Sequence, residues 1–224
     1  MRNFFGNCPG SRKGKIVAME RFRSGRSLSP IRQAEAYWTA LLTGDGVPKR
    51  ADIDPRGLEN ILEYTFILER IAPGIARFRL AGNHLCQLAG MEVRGMPLTA
   101  FFTASARKEV ETMLERLFDA PAIGEVEVTS KQPLGRARLE ARMILLPLKS
   151  DLGDVSRILG VLVADGMPDK TPCKFALDQC RIRDLASIQQ KRADQQQPVT
   201  GFAEEQGTFE RPATHLRLVI SRDD

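Results

Sequence analysis

A mixed α/β domain of the α+β kind, with strands paired antiparallel and helices set around them, is what this sequence predicts. Three observations carry the prediction. The apolar period changes from helical spacing to alternation near residue 64. Strand-like runs then come as a pair and later as a group of three, with a long amphipathic helix between. Within 136–143, Arg136, Arg138, Glu140 and Arg142 alternate with Ala137, Leu139, Ala141 and Met143, the pattern of an antiparallel strand with one face buried and a charged outer face. At 224 residues the chain has room for one domain with tails and a proper core.

The elements follow in order. Residues 1–29 are rich in Gly, Ser and Arg without sustained periodicity and read as a disordered basic arm, with Met19 as a second candidate start. Ile31, Ala34, Tyr37 or Trp38, and Leu41 share a helical stripe, with Ser29 placed to cap it, Pro30 at its first position and Gly44 beyond its end. Asp54-Pro55 opens a second short helix that gathers Leu58, Ile61 and Leu62 on one side. Strands follow over 64–71 and 75–80, turned by Ala72-Pro73-Gly74, and Ala76, Phe78 and Leu80 are expected inward with Arg77 and Arg79 outward.

A short helix over 83–89 has Asn83 as its expected cap and Gly90 as its stop. From Ser105 to Phe118 a longer helix puts Val110, Met113, Leu114, Leu117 and Phe118 on one stripe, and Pro121 closes it. Three strand signals occupy 122–129, 136–146 and 157–164. The predicted core includes Phe66, Leu68, Phe78, Leu139 and Met143. Beyond residue 165 lies a C-terminal extension, 166–224, expected to be partly disordered. Within it Phe175 to Leu185 reads as a further strand or helix, Gln189 to Gly207 as a polar linker, and His215 to Ile220 as a terminal strand or docking peptide.

Charge and cysteine usage remove several classes of function. The net charge of +5 resides in the arm: residues 1–26 hold seven Lys or Arg against one Glu, so the rest of the chain is close to neutral. A solvated tail fits better than a nucleic-acid or membrane anchor, because no stacking platform accompanies the arginines; a nucleic-acid or membrane role through the arm is the rival reading. Apolar runs such as Met143 to Leu148 are far shorter than the ~20 residues that span a bilayer, and no secretory leader is readable, so a cytoplasmic protein is expected. Cys8, Cys86, Cys173 and Cys180 form no CxxC pair and suit reduced thiols.

Catalytic chemistry finds little support. There are two histidines, His84 and His215, so a hydrolytic triad would rest on His84 alone, and no metal set accompanies His84-x-Cys86. Gly82, Gly90 and Gly95 lack phosphate-loop spacing and read as turn residues. The expectation is a non-enzymatic protein.

The element order, together with Tyr37-Trp38-Thr39-Ala40-Leu41-Leu42, then Pro48 to Pro55, then Phe78-Arg79-Leu80-Ala81-Gly82 with Gly90 and Gly95, resembles a family of stand-alone bacterial PAS proteins over residues 30–165. The resemblance implies a PAS-like five-stranded antiparallel sheet flanked by helices, with an N-terminal helix, and a role in sensing or relaying signals. Relatives that hold haem use a helical histidine and those that hold flavin a reactive cysteine. The light-sensing cysteine motif is not present here, and His84, directly after a capping residue, is expected at the surface. No cofactor is assigned.

Two modes of action compete. A small-molecule, haem or flavin sensor would line a pocket with Phe66, Phe78, Leu85, Phe101 and Leu139. A regulator working through protein partners, signalling proteins or a second copy of itself, would use Tyr37, Trp38 and Leu41 of the first helix and Leu218 of the tail. Trp38 also has a plain structural reading as a packing anchor. The second mode is favoured, because neither tail has the length of a kinase domain or the pattern of a DNA-binding helix pair; nucleic acid is not an expected partner.

Overall fold

The computed structural model describes residues 25–42, 46–130, 138–166, 168 and 170–185. Helix α1 (Gly25–Ala40) leads to a 3-10 turn, Arg50–Asp52, and a 3-10 helix, Pro55–Tyr64. Then come β1 (Thr65–Ala72), β2 (Ile75–Ala81), α2 (Asn83–Ala89), a 3-10 turn (Leu98–Phe101), α3 (Ala104–Asp119), β3 (Ala122–Ser130), β4 (Leu139–Lys149), β5 (Val155–Ala164) and β6 (Phe175–Asp184). All six strands form one sheet in the order β2-β1-β5-β4-β3-β6, every neighbouring pair antiparallel. The sixth strand is the segment whose sequence was compatible with strand or helix.

Apolar cover lies on both faces of the sheet. On the concave face α2, the 3-10 turn and α3 pack over Phe66, Leu68, Phe78, Val126, Met143 and Leu162. On the opposite face α1 and the 3-10 helix 55–64 cover Ile67, Ile144, Leu146, Leu148, Leu159 and Val161. This second cover corrects the expectation of a charged outer face. Along β4, Glu140 and Arg142 do point to water, but Ile144, Leu146 and Leu148, on the same face further along, are fully buried beneath α1.

The locks that seat α1 explain the residues behind the family resemblance. Trp38, fully buried, donates its indole N–H to the Pro147 carbonyl at 2.9 Å. The Tyr37 hydroxyl accepts from the Asp54 amide at 2.7 Å and donates to the Asp54 carbonyl at 3.1 Å, and its ring lies over Gly57, where a Cβ would come within 2.3 Å of it. Asp54 in turn caps the 3-10 helix by accepting from the Arg56 amide at 2.9 Å. Arg183 of β6 ties α1 to the sheet through Glu35 at 2.7 Å and Glu125 at 2.6 Å.

Three local expectations need correction. The first helix starts at Gly25 rather than after a Ser29 cap, so Pro30 lies inside it and the carbonyl one turn earlier goes without the bond that Pro30 cannot give. Gly82, not Asn83, is the N-cap of α2 and has no side chain to cap with; glycine stands there because the chain is pressed against the end of the 3-10 helix, where a Cβ would fall 2.2 Å from the Glu63 carbonyl oxygen. Leu80, expected inward, is 47% exposed. Its β1 partner is Ile67 while Phe78 pairs with Leu68, so an extra residue in β2 at that point turns the phase of the strand. The stop at Gly90 holds as expected, in the left-handed region at φ 71°.

Candidate functional site

The site assembles on the concave face. Phe66 of β1, Phe78 of β2 and Phe101 of the 3-10 turn stand edge to face in a row, with ring centroids 5.3 and 5.5 Å apart, the separation at which aromatic quadrupoles attract. The row exists because alternation points Phe66 and Phe78 to the same face, and the turn at 98–101 brings Phe101 over them. Gly160 of β5 makes room for it: a Cβ there would lie 2.1 Å from the Phe66 ring. Leu85 of α2 and Leu139 of β4 belong to the same buried cluster. All five pocket candidates are thus brought to one face, each no more than 4% exposed.

Phe66 also reaches the wall of a groove on the other side of β1, about 190 Å3 in volume, where Leu62 and Leu80 lie open beside Pro55 and Arg50. Phe101 reaches a second cavity of about 160 Å3, between Ala89, Met91, Met96 and the segment Pro172-Cys173-Lys174. A charged depression of about 480 Å3 lies on the uncovered end of the outer face, with Glu127, Arg138, Glu140, Arg142, Asp178 and Arg181 in its walls. There the Arg142 to Glu127 ion pair, at 3.7 Å, and the Thr129 to Asp178 hydrogen bond, at 3.1 Å, are the ordinary traffic of a solvated sheet face.

His84 corrects an expectation. It is 7% exposed, its ring meets Tyr64 edge-on at 4.9 Å, and its Nε2 accepts the Ala164 amide at 3.2 Å. The pairing of β1 with β5 runs only from Thr65–Val161 to Glu69–Arg157, so the end of β5 extends past β1, and His84 takes the place of the missing strand partner. Burial holds its pKa below the ordinary value of 6.5, against a weaker opposing pull from Glu63. Neutral, with Nε2 as acceptor, it is a structural histidine. Among the described residues no three His, Cys, Asp or Glu side chains gather as a metal site.

Of the partner-surface candidates, Trp38 lies inside the outer-face core, Tyr37 and Leu41 are half-buried along the rim of α1, and Leu218 falls outside the described residues. Sequence reasoning read Phe175 to Leu185 as a strand or helix but missed that Phe175 and the residues just before it enter the concave core. Phe175 is fully buried, forms a parallel bridge with Phe102 and accepts the Thr103 amide at 2.8 Å; Cys173, 4% exposed, donates its amide to the Leu88 carbonyl at 2.9 Å. The signal available was Phe175 with Leu177, Cys180 and Ile182, an apolar alternation broken in phase by a register shift opposite Glu127 and Val128.

An antiparallel sheet with an aromatic-filled concave face, closed over by short helices and one longer helix, defines a small α+β domain. The chain belongs to the PAS domain family, whose model matches residues 26–163. That span runs from α1 to the last residues of β5 and leaves β6 outside. Among solved structures, a light-oxygen-voltage domain described with a flavin analogue is 17% identical, with a TM-score of 0.36, covering 50% of this chain and 83% of its own. A light-oxygen-voltage protein of Rhodobacter sphaeroides is 12% identical, with a TM-score of 0.34, covering 51% and 69%. Among curated proteins none matches. No helix among the described residues is long and apolar enough to cross a membrane.

Proposed function

We propose that this chain is a non-enzymatic regulatory protein of the PAS family that acts through protein partners rather than through a bound chromophore. The observation that supports this reading is the packing of the concave face. The side chains that would line a ligand chamber, Phe66, Phe78 and Phe101, touch one another ring on ring, and Leu85 and Leu139 close the same cluster. Specificity then rests on surfaces. The groove holding Leu62 and Leu80 has open apolar side chains, and the half-buried rim of α1 at Tyr37 and Leu41 is a second candidate, with Leu218 of the tail as a further contact.

Native mass spectrometry of the protein isolated from its own cells tests this, followed by affinity capture. The expected result is the bare polypeptide mass, or that mass with a reproducible protein partner. A stoichiometric haem, flavin or metabolite with no protein partner would put the small-molecule sensor first. Turnover of a substrate would end the non-enzymatic reading.

A further inference from the structure

Lys170 to Phe175 is built differently from the rest of the concave core. It lies beyond the family-matched span and has no strand or helix of its own before β6, yet it carries two buried side chains of that face, Cys173 and Phe175. Its hydrogen bonds run to scattered partners. Cys173 N–H reaches Leu88, Thr103 N–H reaches the Phe175 carbonyl, the Ser130 hydroxyl donates to the Lys174 carbonyl at 2.8 Å, and the Lys174 ammonium donates to the Ala100 carbonyl.

Space lies on both sides of it. One cavity, of about 160 Å3, has Met91, Met96 and Phe101 in its walls; the other, of about 320 Å3, has Thr103, Thr129 and Ser130; and Pro172, Cys173 and Lys174 belong to both. A core element is packed on all sides at crystal-like density, whereas this segment is a partition between two hollows that open to solvent. Moving it outward breaks these hydrogen bonds, frees the first rung of β6 on β3 at Ser130 and the Phe102 bridge, and uncovers one phenyl ring and one thiol, while the strand ladders from β2 to β3 stay whole.

We propose that Lys170–Phe175 is a releasable plug, an intramolecular contact that keeps the concave core closed and, when it lets go, joins the two cavities into one cleft leading to Phe101. The cleft so formed is apolar at one end, at Met91, Met96 and Phe101, and hydroxyl-lined at the other, at Thr103, Thr129 and Ser130. This holds whether or not the domain works through protein partners.

Cys173 and Trp38 make the plug measurable in the full chain. Burial pushes the Cys173 thiol above its ordinary value, against smaller pulls from the Ser130 hydroxyl and Lys174, so in the closed state it is protonated and slow to alkylate. Trp38 is the one tryptophan and sits under α1 on the other face of the sheet, where it reports global unfolding. Iodoacetamide alkylation is followed cysteine by cysteine with peptide mass mapping, across urea concentrations below the Trp38 unfolding midpoint. The expected result is Cys173 modification at least tenfold faster than Trp38-reported unfolding allows, with little urea dependence, since local opening exposes little surface.

Lys174→Ala removes one tie from an exposed side chain and should raise the Cys173 rate severalfold with the Trp38 midpoint unmoved. Phe175→Ala should raise it further; because that variant also risks the fold, the lysine variant carries the comparison. Cys173 modification that tracks the Trp38 transition with its full urea dependence, or stays within tenfold of it, overturns the proposal, as does a Lys174→Ala rate equal to that of the parent.

Discussion

At the scale of single residues, the concave face is decided by where rings can go. Phe78 sits between Phe66 and Phe101 with no exposed surface, so Phe78→Ala removes two edge-to-face contacts and leaves a void that neither strand can close. A loss of ~3–5 kcal/mol in urea unfolding is expected, as for large aromatics deleted from cores; a near-neutral result would mean the face collapses around the gap. His84 makes a different kind of claim. Because its folded pKa lies below the unfolded value near 6.5, the folded state binds fewer protons than the unfolded one between those two values, and stability rises with pH through that window. It is complete above pH 6.5 and is lost as pH falls toward the folded value. His84→Gln keeps an acceptor for the Ala164 amide that does not titrate, so the gain in melting temperature from pH 5.5 to 7.5 should shrink relative to the parent. An unchanged gain would assign the pH dependence to other groups.

At the scale of elements, the comparison between α1 and the segment before β6 tells what sequence can and cannot announce. Helical spacing of Ile31, Ala34 and Trp38 foretold that α1 buries a face, and the Asp54-Pro55 pair foretold a cap, since both signals depend only on neighbours along the chain. What α1 covers was not legible. The inward phase of Ile144, Leu146 and Leu148 looks the same whether water or a helix lies over them, and the strand is apolar enough on both faces only from Met143 onward. Leu80 and His84 went astray for a related reason: a bulge in β2 and a strand that outruns its neighbour are properties of pairing, not of either segment alone. The five pocket candidates were legible as one apolar set because alternation fixes the face, although alternation says nothing about whether that face encloses a void. The locks on α1 lead to an ordered prediction. Trp38→Phe leaves the buried Pro147 carbonyl without its donor and should cost ~1–3 kcal/mol, whereas Tyr37→Phe loses a hydroxyl from a more exposed pair and should cost ~0.5–1.5 kcal/mol, both read by far-UV circular dichroism during unfolding. The reverse order would show that α1 is held chiefly at its junction with the 3-10 helix.

At the scale of the whole folded unit, two apolar clusters lie on opposite faces of one sheet, and the same strands serve both. Along β4, Met143 and Leu145 face the concave cluster while Ile144, Leu146 and Leu148 face the cluster under α1; along β5, Ile158 and Leu162 alternate in the same way with Leu159 and Val161. Neither cluster can therefore dissolve without stripping one side from the strands that order the other. Ion pairs add ties across the same frame, with Arg183 joining α1 to β6 and β3, and Arg70 joining β1 to Asp119 at the end of α3 while lying 5.4 Å from the Phe118 ring. Ion pairs that keep this much contact with water contribute little each, so the coupling is carried by the shared strands. The expectation is one cooperative transition: Trp38 emission, which reports the cluster under α1, and far-UV ellipticity, which reports the sheet and all three helices, should give the same urea midpoint and the same slope. Trp38 emission changing at distinctly lower urea than ellipticity would mean that α1 leaves a sheet that stands without it, and the two faces would then count as separate units of stability. The same measurement on Met143→Ala sharpens the point. Its side chain is buried on the concave face, away from Trp38, and its loss should move both probes together by the ~2–5 kcal/mol of a large core deletion. A shift confined to ellipticity, with the Trp38 midpoint unmoved, would show that the strands do not transmit the loss from one face to the other.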